Sequence, residues 1–491
     1  MRRLLTPAAL LVFGAVLAVT AFHVWVTPDN PPGFHRDEAA LALNAYTLST
    51  GLRDEDGARL PLFFRSFDDY KSPVYPYTLA AVFKVAGPSQ TAARGLSAAL
   101  VLAAILLLGL LAWRLSGDAL VAALVLLAAG FTPWLFELGR MAIEASTQPL
   151  LLVLLLLTLE RAVRLDRFSI GHGVAAGILL GLFTYSYTGS RLLGPLLAAA
   201  LVVFAGRERR RLALAAWATF AVALVPVGAY AIQHPGNLTA RYDATTIARD
   251  GLSGARLVLQ AIANWAKDLN PIHWATAGDP APYIHNGGYG AFYAGVLVLA
   301  VAGAGLVLWH ERANPFWRYV LLATLVVPIP AALTVDRYNA IRLAVLPVLF
   351  LVLAVPGLQA LLGTVRRSQA ARVAAGAIVV AIGFQLVQFV DEYRTRGPRR
   401  VVLFEAGVRP LLEPHLRAGE TINVDFDDRG AQAQARWHAA ALHLPDERVI
   451  VLPDGGIPPP GSLVLLQFQD CDFECEEIER WELYRLARAA G

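Results

Sequence analysis

Charge is what this chain is short of. Charged residues fill only 16% of its 491 positions, against 56% hydrophobic, and mean hydropathy is +0.51. Soluble domains carry about 25% charged residues, so a soluble globular protein is excluded and a polytopic membrane protein is implied. Lysine is scarcest, with only Lys71, Lys84 and Lys267. The formal charge of +4 gathers into no patch suited to nucleic acid, so no such partner is expected. Cysteine is limited to Cys471 and Cys475. Two thiols four residues apart suit a local disulfide in an oxidising compartment, with two free thiols as the alternative, and they do not suggest a metal site. Charges are also sparse inside the apolar runs. That absence counts against the charged midplane cavity of an ion-coupled transporter or lipid-linked-glycan flippase.

The long apolar runs define the class. A bilayer core of about 30 Å needs about 20 apolar residues per helix. The sequence predicts about eleven spans, near 5–26, 92–113, 118–136, 141–160, 170–187, 190–206, 212–232, 287–309, 317–334, 341–361 and 372–390. With the N-terminus inside, the short inner loops hold Arg2 and Arg3, Arg114, Arg161 to Arg167, Arg207 to Arg211, Arg312 and Arg318, and Arg366 to Arg372. Every one is basic, as the positive-inside rule requires. Arg2 and Arg3 before the first apolar run also resemble a signal peptide; the run's length and the spans after it favour an uncleaved first helix.

Three longer regions then face outward. In the first, about 27–91, Leu41, Ala45 and Leu48 share a helical face and predict a helix over 37–50 lying in the interface plane. A second amphipathic stretch covers 74–85. Between them, Asp54-Glu55-Asp56-Gly57 reads as a hairpin turn and not as a calcium loop. The second region, about 233–290, carries His234, Tyr242, Trp265, His273, Trp274, Tyr283, His285 and Tyr289. These fit an interfacial aromatic belt or a sugar- or lipid-binding wall. The third, 391–491, predicts a small α/β domain with helices over 403–416 and 431–444, strands over 421–426, 448–452 and 462–468, and a closing helix from Glu476. It has no Gly-rich phosphate loop, and Asp454-Gly455-Gly456 reads as a turn. The domain boundary is expected near 390.

The sharpest feature is His35-Arg36-Asp37-Glu38, two carboxylates directly after the first span, behind Pro28, Pro31, Pro32 and Gly33. Acidic residues in a first turn often only complement the helix dipole. Here the outward ends of the spans also collect Arg140, Glu144, Arg191, Asp336, Arg337 and Arg342, with Lys71 in the first outer region. A one-sided ring of charge suits a surface active site fed by a lipid substrate.

In this order the motifs resemble the GT-C glycosyltransferases, in the branch of protein O-mannosyltransferases and the lipid A aminoarabinose transferase. Asp37-Glu38 follows the first helix, and Lys71, Pro73 and Tyr75 precede a second interfacial helix. Phe131-Thr132-Pro133-Trp134 leads to Arg140 and Glu144, residues 181–191 end in Tyr187 and Arg191, and Pro330 to Thr334 leads to Arg342 and Pro347. The resemblance covers about residues 1–390. It implies a multi-pass enzyme of the cell membrane, with its site and C-terminal domain extracytoplasmic. Such an enzyme takes a hexose or pentose from a polyprenyl-phosphate carrier and gives it to a hydroxyl of a lipid, glycan or protein. Asp37 or Glu38 is then the expected base, Asp37 the favoured one. Lys71, Arg140, Arg191 and Arg342 are expected on the donor phosphate, and Tyr75, Glu144, Tyr187 and His285 against substrate. No cofactor is required by these motifs, and a divalent metal stays open. One departure is Ala40, where the aminoarabinose branch carries a basic residue, so another cation has to serve. The competing classes are a lipid-linked-glycan flippase or exporter, an O-antigen ligase or polymerase using arginines and a large late outer loop, and a structural scaffold.

Topology is directly testable. An impermeant maleimide applied to intact cells should label cysteines introduced in 391–491 and spare those in 206–211; the reverse pattern contradicts the assignment.

Overall fold

The computed structural model describes residues 6–25, 30–67, 69–165, 170–206, 209–425, 427–453, 456–467, 471 and 473–490. Arg2, Arg3, Pro28, Arg167, Arg207, Phe426, Asp454, Gly455 and Phe468, within the stretches used above, lie outside that range. The chain divides into two compact units. One comprises Met1–Val26, Ser97–Arg140 and Glu144–Tyr393; the other comprises Thr27–Leu96, Met141–Ile143 and Arg394–Gly491. Residues 27–96 thus belong to the same unit as the C-terminal region.

The first unit is helical. Among the described residues of the chain, seven helices are long and apolar enough to cross a membrane: Pro7–Val24, Gln90–Ser116, Glu144–Arg164, Arg210–Gln233, Pro315–Ala332, Leu346–Val365 and Gln369–Arg399. Shorter apolar helices Ala119–Phe131, Ile170–Thr184, Ser190–Phe204 and Ala294–His310 fall on the remaining expected spans. Without a hydrophobic drive between helices in lipid, close backbone approach supplies the packing. Ala294–His310 and Leu346–Val365 use it fully: a Cβ on Gly303 would overlap the Leu353 carbonyl oxygen, and one on Gly357 that of Leu299. At the end of the bundle where Gln90–Ser116 finishes, Arg114 and Arg164 share Glu160 at 3.4 and 3.9 Å. This pairing ties together the ends of two helices.

Trp274 corrects the belt reading of the second outer region. It is fully buried, stacks on Trp134 at 4.1 Å and donates its indole N–H to the Asp268 carbonyl at 2.7 Å. That ring is core.

In the second unit, helix Arg36–Gly51 packs against helix Val74–Ala86 and the C-terminal helix Arg429–Ala441. Leu41, Ala45 and Leu48 are buried, and so are Ala39, Ala40, Ala42 and Leu43 on its other sides. The expected interface-plane helix is therefore buried on every side over residues 38–45. The acidic turn forms as expected: Asp54 Oδ1 accepts from the N–H groups of Asp56 and Ala58 at 3.1 and 2.7 Å, and Arg53 bridges Arg59. Burial pushes the Glu55 carboxyl up to about 7, against the pull of Arg436 and a hydrogen bond from Asn44.

The C-terminal region is an α/β layer. Its sheet runs Val449–Val451, Ile422–Val424, Leu463–Gln467, Tyr484–Ala489, Cys475–Trp481; the first three strands are parallel and the last two antiparallel. Val408, Leu412, Ile422, Ala435, Leu465 and Leu486 form its core with their neighbours. Two expectations are corrected. The first helix begins at Val408, because residues 401–407 form turns, with Glu405 at φ 50°. The closing helix from Glu476 is instead a β-hairpin turning at Glu482 and Leu483. Cys471 and Cys475 are disulfide-bonded at its start.

Candidate active site

The acidic pair opens a helix, and its capping separates the two carboxylates. His35 is the N-cap: its Nδ1 accepts from the Asp37 N–H at 3.2 Å, while the Glu38 carboxylate accepts from the His35 N–H at 3.0 Å. This reciprocal box satisfies two orphan donors of the first turn. Glu38 is completely buried and takes three more donors. Arg94 gives its Nε to Oε1 at 2.9 Å and a terminal nitrogen to Oε2 at 2.7 Å, and the Ala142 N–H reaches Oε1 at 2.8 Å. Four donors fill the lone-pair positions of a carboxylate. Glu38 is thereby a structural group.

Asp37 lies about 100° further round the helix and faces a different setting. Its side chain is 40% exposed, with Lys71 Nζ 3.6 Å from Oδ1 and His35 Nδ1 3.7 Å from Oδ2. Lys71 arrives on the second strand of a short hairpin, in which Phe64–Ser66 pairs antiparallel with Asp69–Lys71. The buried Asp69 lies 3.8 Å from the same ammonium. A carboxylate on each side keeps this lysine close to Asp37. Tyr75, expected against substrate, is fully buried and donates its hydroxyl to the Ala93 carbonyl at 2.9 Å. It fastens helix Val74–Ala86 to the start of the long helix.

The remaining expected residues belong to the helical unit. Arg140 is buried, gives a terminal nitrogen to the Trp25 carbonyl at 2.8 Å and lies 4.3 Å from the Phe136 ring. It caps the C-terminal end of helix Pro7–Val24, where a cation meets the helix dipole favourably. Glu144 is buried at the 3₁₀ turn Glu144–Thr147 that leads into the next helix. Tyr187 is half-buried in the turn between Ile170–Thr184 and Ser190–Ala200. Arg191 donates to the Leu238 carbonyl at 3.0 Å. Arg342 pairs with Asp336 at 2.7 Å and bonds Thr334, beside an Arg337–Asp268 pair at 3.5 Å. Burial raises the Asp268 carboxyl, the neighbouring arginines opposing it.

His285 is not at a surface. Its Nδ1 lies 2.7 Å from Glu137 and its Nε2 3.0 Å from the Tyr289 carbonyl, while the Tyr289 hydroxyl donates to Glu137 at 2.7 Å. Burial disfavours the imidazolium, but the Glu137 carboxylate outweighs it and holds the His285 pKa above its ordinary value. Both ring nitrogens are committed to the fold. Among the described residues, no group of three or more His, Cys, Asp or Glu side chains has a metal-holding arrangement.

The family model for dolichyl-phosphate-mannose-protein mannosyltransferases matches residues 70–231. ArnT from Cupriavidus metallidurans, bound to undecaprenyl phosphate, shares the fold at a TM-score of 0.60 and 13% identity, over 97% of both chains. An oligosaccharyltransferase from Archaeoglobus fulgidus, complexed with zinc and sulfate, does so at 0.55 and 16% identity, over 88% of this chain and 61% of that one. No curated protein sequence matches. The family-model match is confined to residues 70–231, and the likeness to the solved structures is one of fold.

Three members of this protein's polar framework escape sequence reading: Arg94, Glu137 and Glu405. Glu137, a lone carboxylate in the apolar Trp134–Leu138 run, carries the one local signal, since a charge in such a run demands a partner. Removing one member of a buried pair costs about 3–5 kcal/mol. Glu38→Ala and Arg94→Ala should each lower the thermal midpoint of the detergent-purified protein sharply, and the double variant should cost less than their sum. Native stability in Glu38→Ala would contradict this role.

Proposed function

We propose that this protein transfers a hexose or pentose from a polyprenyl-phosphate carrier to an acceptor hydroxyl on the extracytoplasmic face of the cell membrane, with Asp37 as the base. The division between the two carboxylates carries the reading. Glu38 is filled with donors, whereas Asp37 is partly open beside the only lysine of that strand. The ArnT structure's undecaprenyl phosphate supports a carrier of that class.

The chemistry follows from what each group offers. The acceptor's O–H bond breaks as its oxygen bonds the anomeric carbon, and the proton passes to Asp37. The anomeric C–O bond breaks, and its electron pair leaves on the lipid phosphate. A phosphate leaving as an anion requires a cation more than an acid, and Lys71 is placed to serve once substrate separates it from Asp37. Arg140 drops out of this set, being committed to a helix end. Arg342, in the helical unit, is paired with a half-exposed Asp336. The sugar, the acceptor class (lipid, glycan or protein) and any divalent metal are choices for the assay.

Purified protein given a panel of undecaprenyl-phosphate-linked hexoses and pentoses should release undecaprenyl phosphate and yield one glycosylated product. Lys71→Ala should lower that turnover at least about 10-fold with the protein still folded. No transfer from any donor, or native turnover in Lys71→Ala, contradicts the assignment.

A further inference from the structure

In open α/β sheets, ligands sit outside the carboxyl ends of the strands where the strand order reverses. The C-terminal sheet has such a point. From Ile422–Val424 the chain runs through helix Arg429–Ala441 to Val449–Val451 on one side, and Leu463–Gln467 lies on the other. Asp428 and Gln467 stand at those carboxyl ends and are buried. The group they meet is Arg36, the first residue of the helix that bears Asp37. With its amide oxygen toward Arg36, Gln467 accepts from both terminal nitrogens at 2.9 and 3.1 Å, and its amide nitrogen donates to Asp428 at 3.1 Å. The other edge of the guanidinium gives its Nε to Glu405 Oε1 at 2.6 Å. Glu405 is buried, and its Oε2 accepts from the Tyr484 hydroxyl at 2.9 Å and from the Gln434 amide. Gln434 also donates to the Phe34 carbonyl at 2.7 Å.

We propose that Glu405 is a positioning residue for the transfer reaction: with Gln467 it grips Arg36 in the sheet's crevice and so fixes the helix turn that aims Asp37 at Lys71. This gives the C-terminal domain a task in the reaction, and it rests on the reading of Asp37 as base. A guanidinium held along two edges allows its residue little rotation. Asp37 is the next residue along the helix. Two further ties join helix Arg429–Ala441 to the acidic turn that follows the Asp37 helix, Arg429 to Asp56 at 3.3 Å and the Arg436 guanidinium to the Glu55 carbonyl at 3.0 Å. They keep the domain docked when the Arg36 grip is cut, so loss of the grip is separable from loss of the fold.

The test uses full-length protein, the donor accepted from the undecaprenyl-phosphate panel, and undecaprenyl phosphate itself as binding probe. Glu405→Gln and Arg36→Met should each lower kcat about 10-fold or more, the scale of a misplaced reacting group. KM and undecaprenyl phosphate affinity should stay within about twofold, and the acid limb of the kcat/KM profile should move. The double variant should be no worse than the worse single one, because both cut one linkage. Arg36→Lys should not restore turnover, since lysine lacks the two-edged fork. Native kcat in Glu405→Gln and Arg36→Met beside an inactive Asp37→Asn overturns the positioning role alone, and multiplying losses do the same. Full turnover in Asp37→Asn overturns the base assignment and this proposal with it.

Discussion

Four N–H donors from three stretches of chain converge on the buried Glu38 carboxylate. They come from the helix's own cap, from Arg94 at the start of the long helix and from the backbone of the 141–143 segment. An unpaired carboxylate is too costly to bury, so these stretches are held together or the unit does not form. Everything at the site follows from that commitment. With Glu38 fixed inward, the helical period turns Asp37 outward, where Lys71 approaches on a hairpin strand.

The charges that look like one ring in the sequence serve two ends. Arg140 closes a helix end, Glu137 and His285 tie a buried corner, and Glu38 and Arg94 lock the start of a helix. Such groups have their partners inside the fold, and deleting them damages stability. Asp37, Lys71 and Arg342 have partners at least partly exposed or shared between carboxylates.

Hydropathy made the membrane-crossing helices legible, because a run of about 20 apolar residues has few alternatives. The helix carrying the acidic pair was legible too, from the spacing of Leu41, Ala45 and Leu48, but its surroundings were not. Its covering helix comes from Arg429–Ala441, nearly four hundred residues on. Sequence separation also hid Arg94 and Glu405, which lie 56 and 369 residues from their partners Glu38 and Arg36. The C-terminal hairpin failed for a local reason. Glu476 to Arg488 is rich in helix formers, and its turn at Glu482-Leu483 lacks the Asn-Gly or Asp-Gly signal. Pairing to Leu463–Gln467 overrides that propensity, and charged Glu477 and Glu479 suit an exposed sheet edge. Asp37 stands out in the sequence and is partly exposed in the structure, whereas Tyr75, Arg140 and His285, chosen by motif position, prove buried and engaged.

Turnover and thermal midpoint measured together on Asp37→Asn test the central claim most directly. The account predicts a loss of about 10²–10⁴-fold in sugar transfer, with a stability change within the roughly 1 kcal/mol of an exposed pair and a helix-dipole contact. Native turnover in a folded Asp37→Asn protein would contradict it.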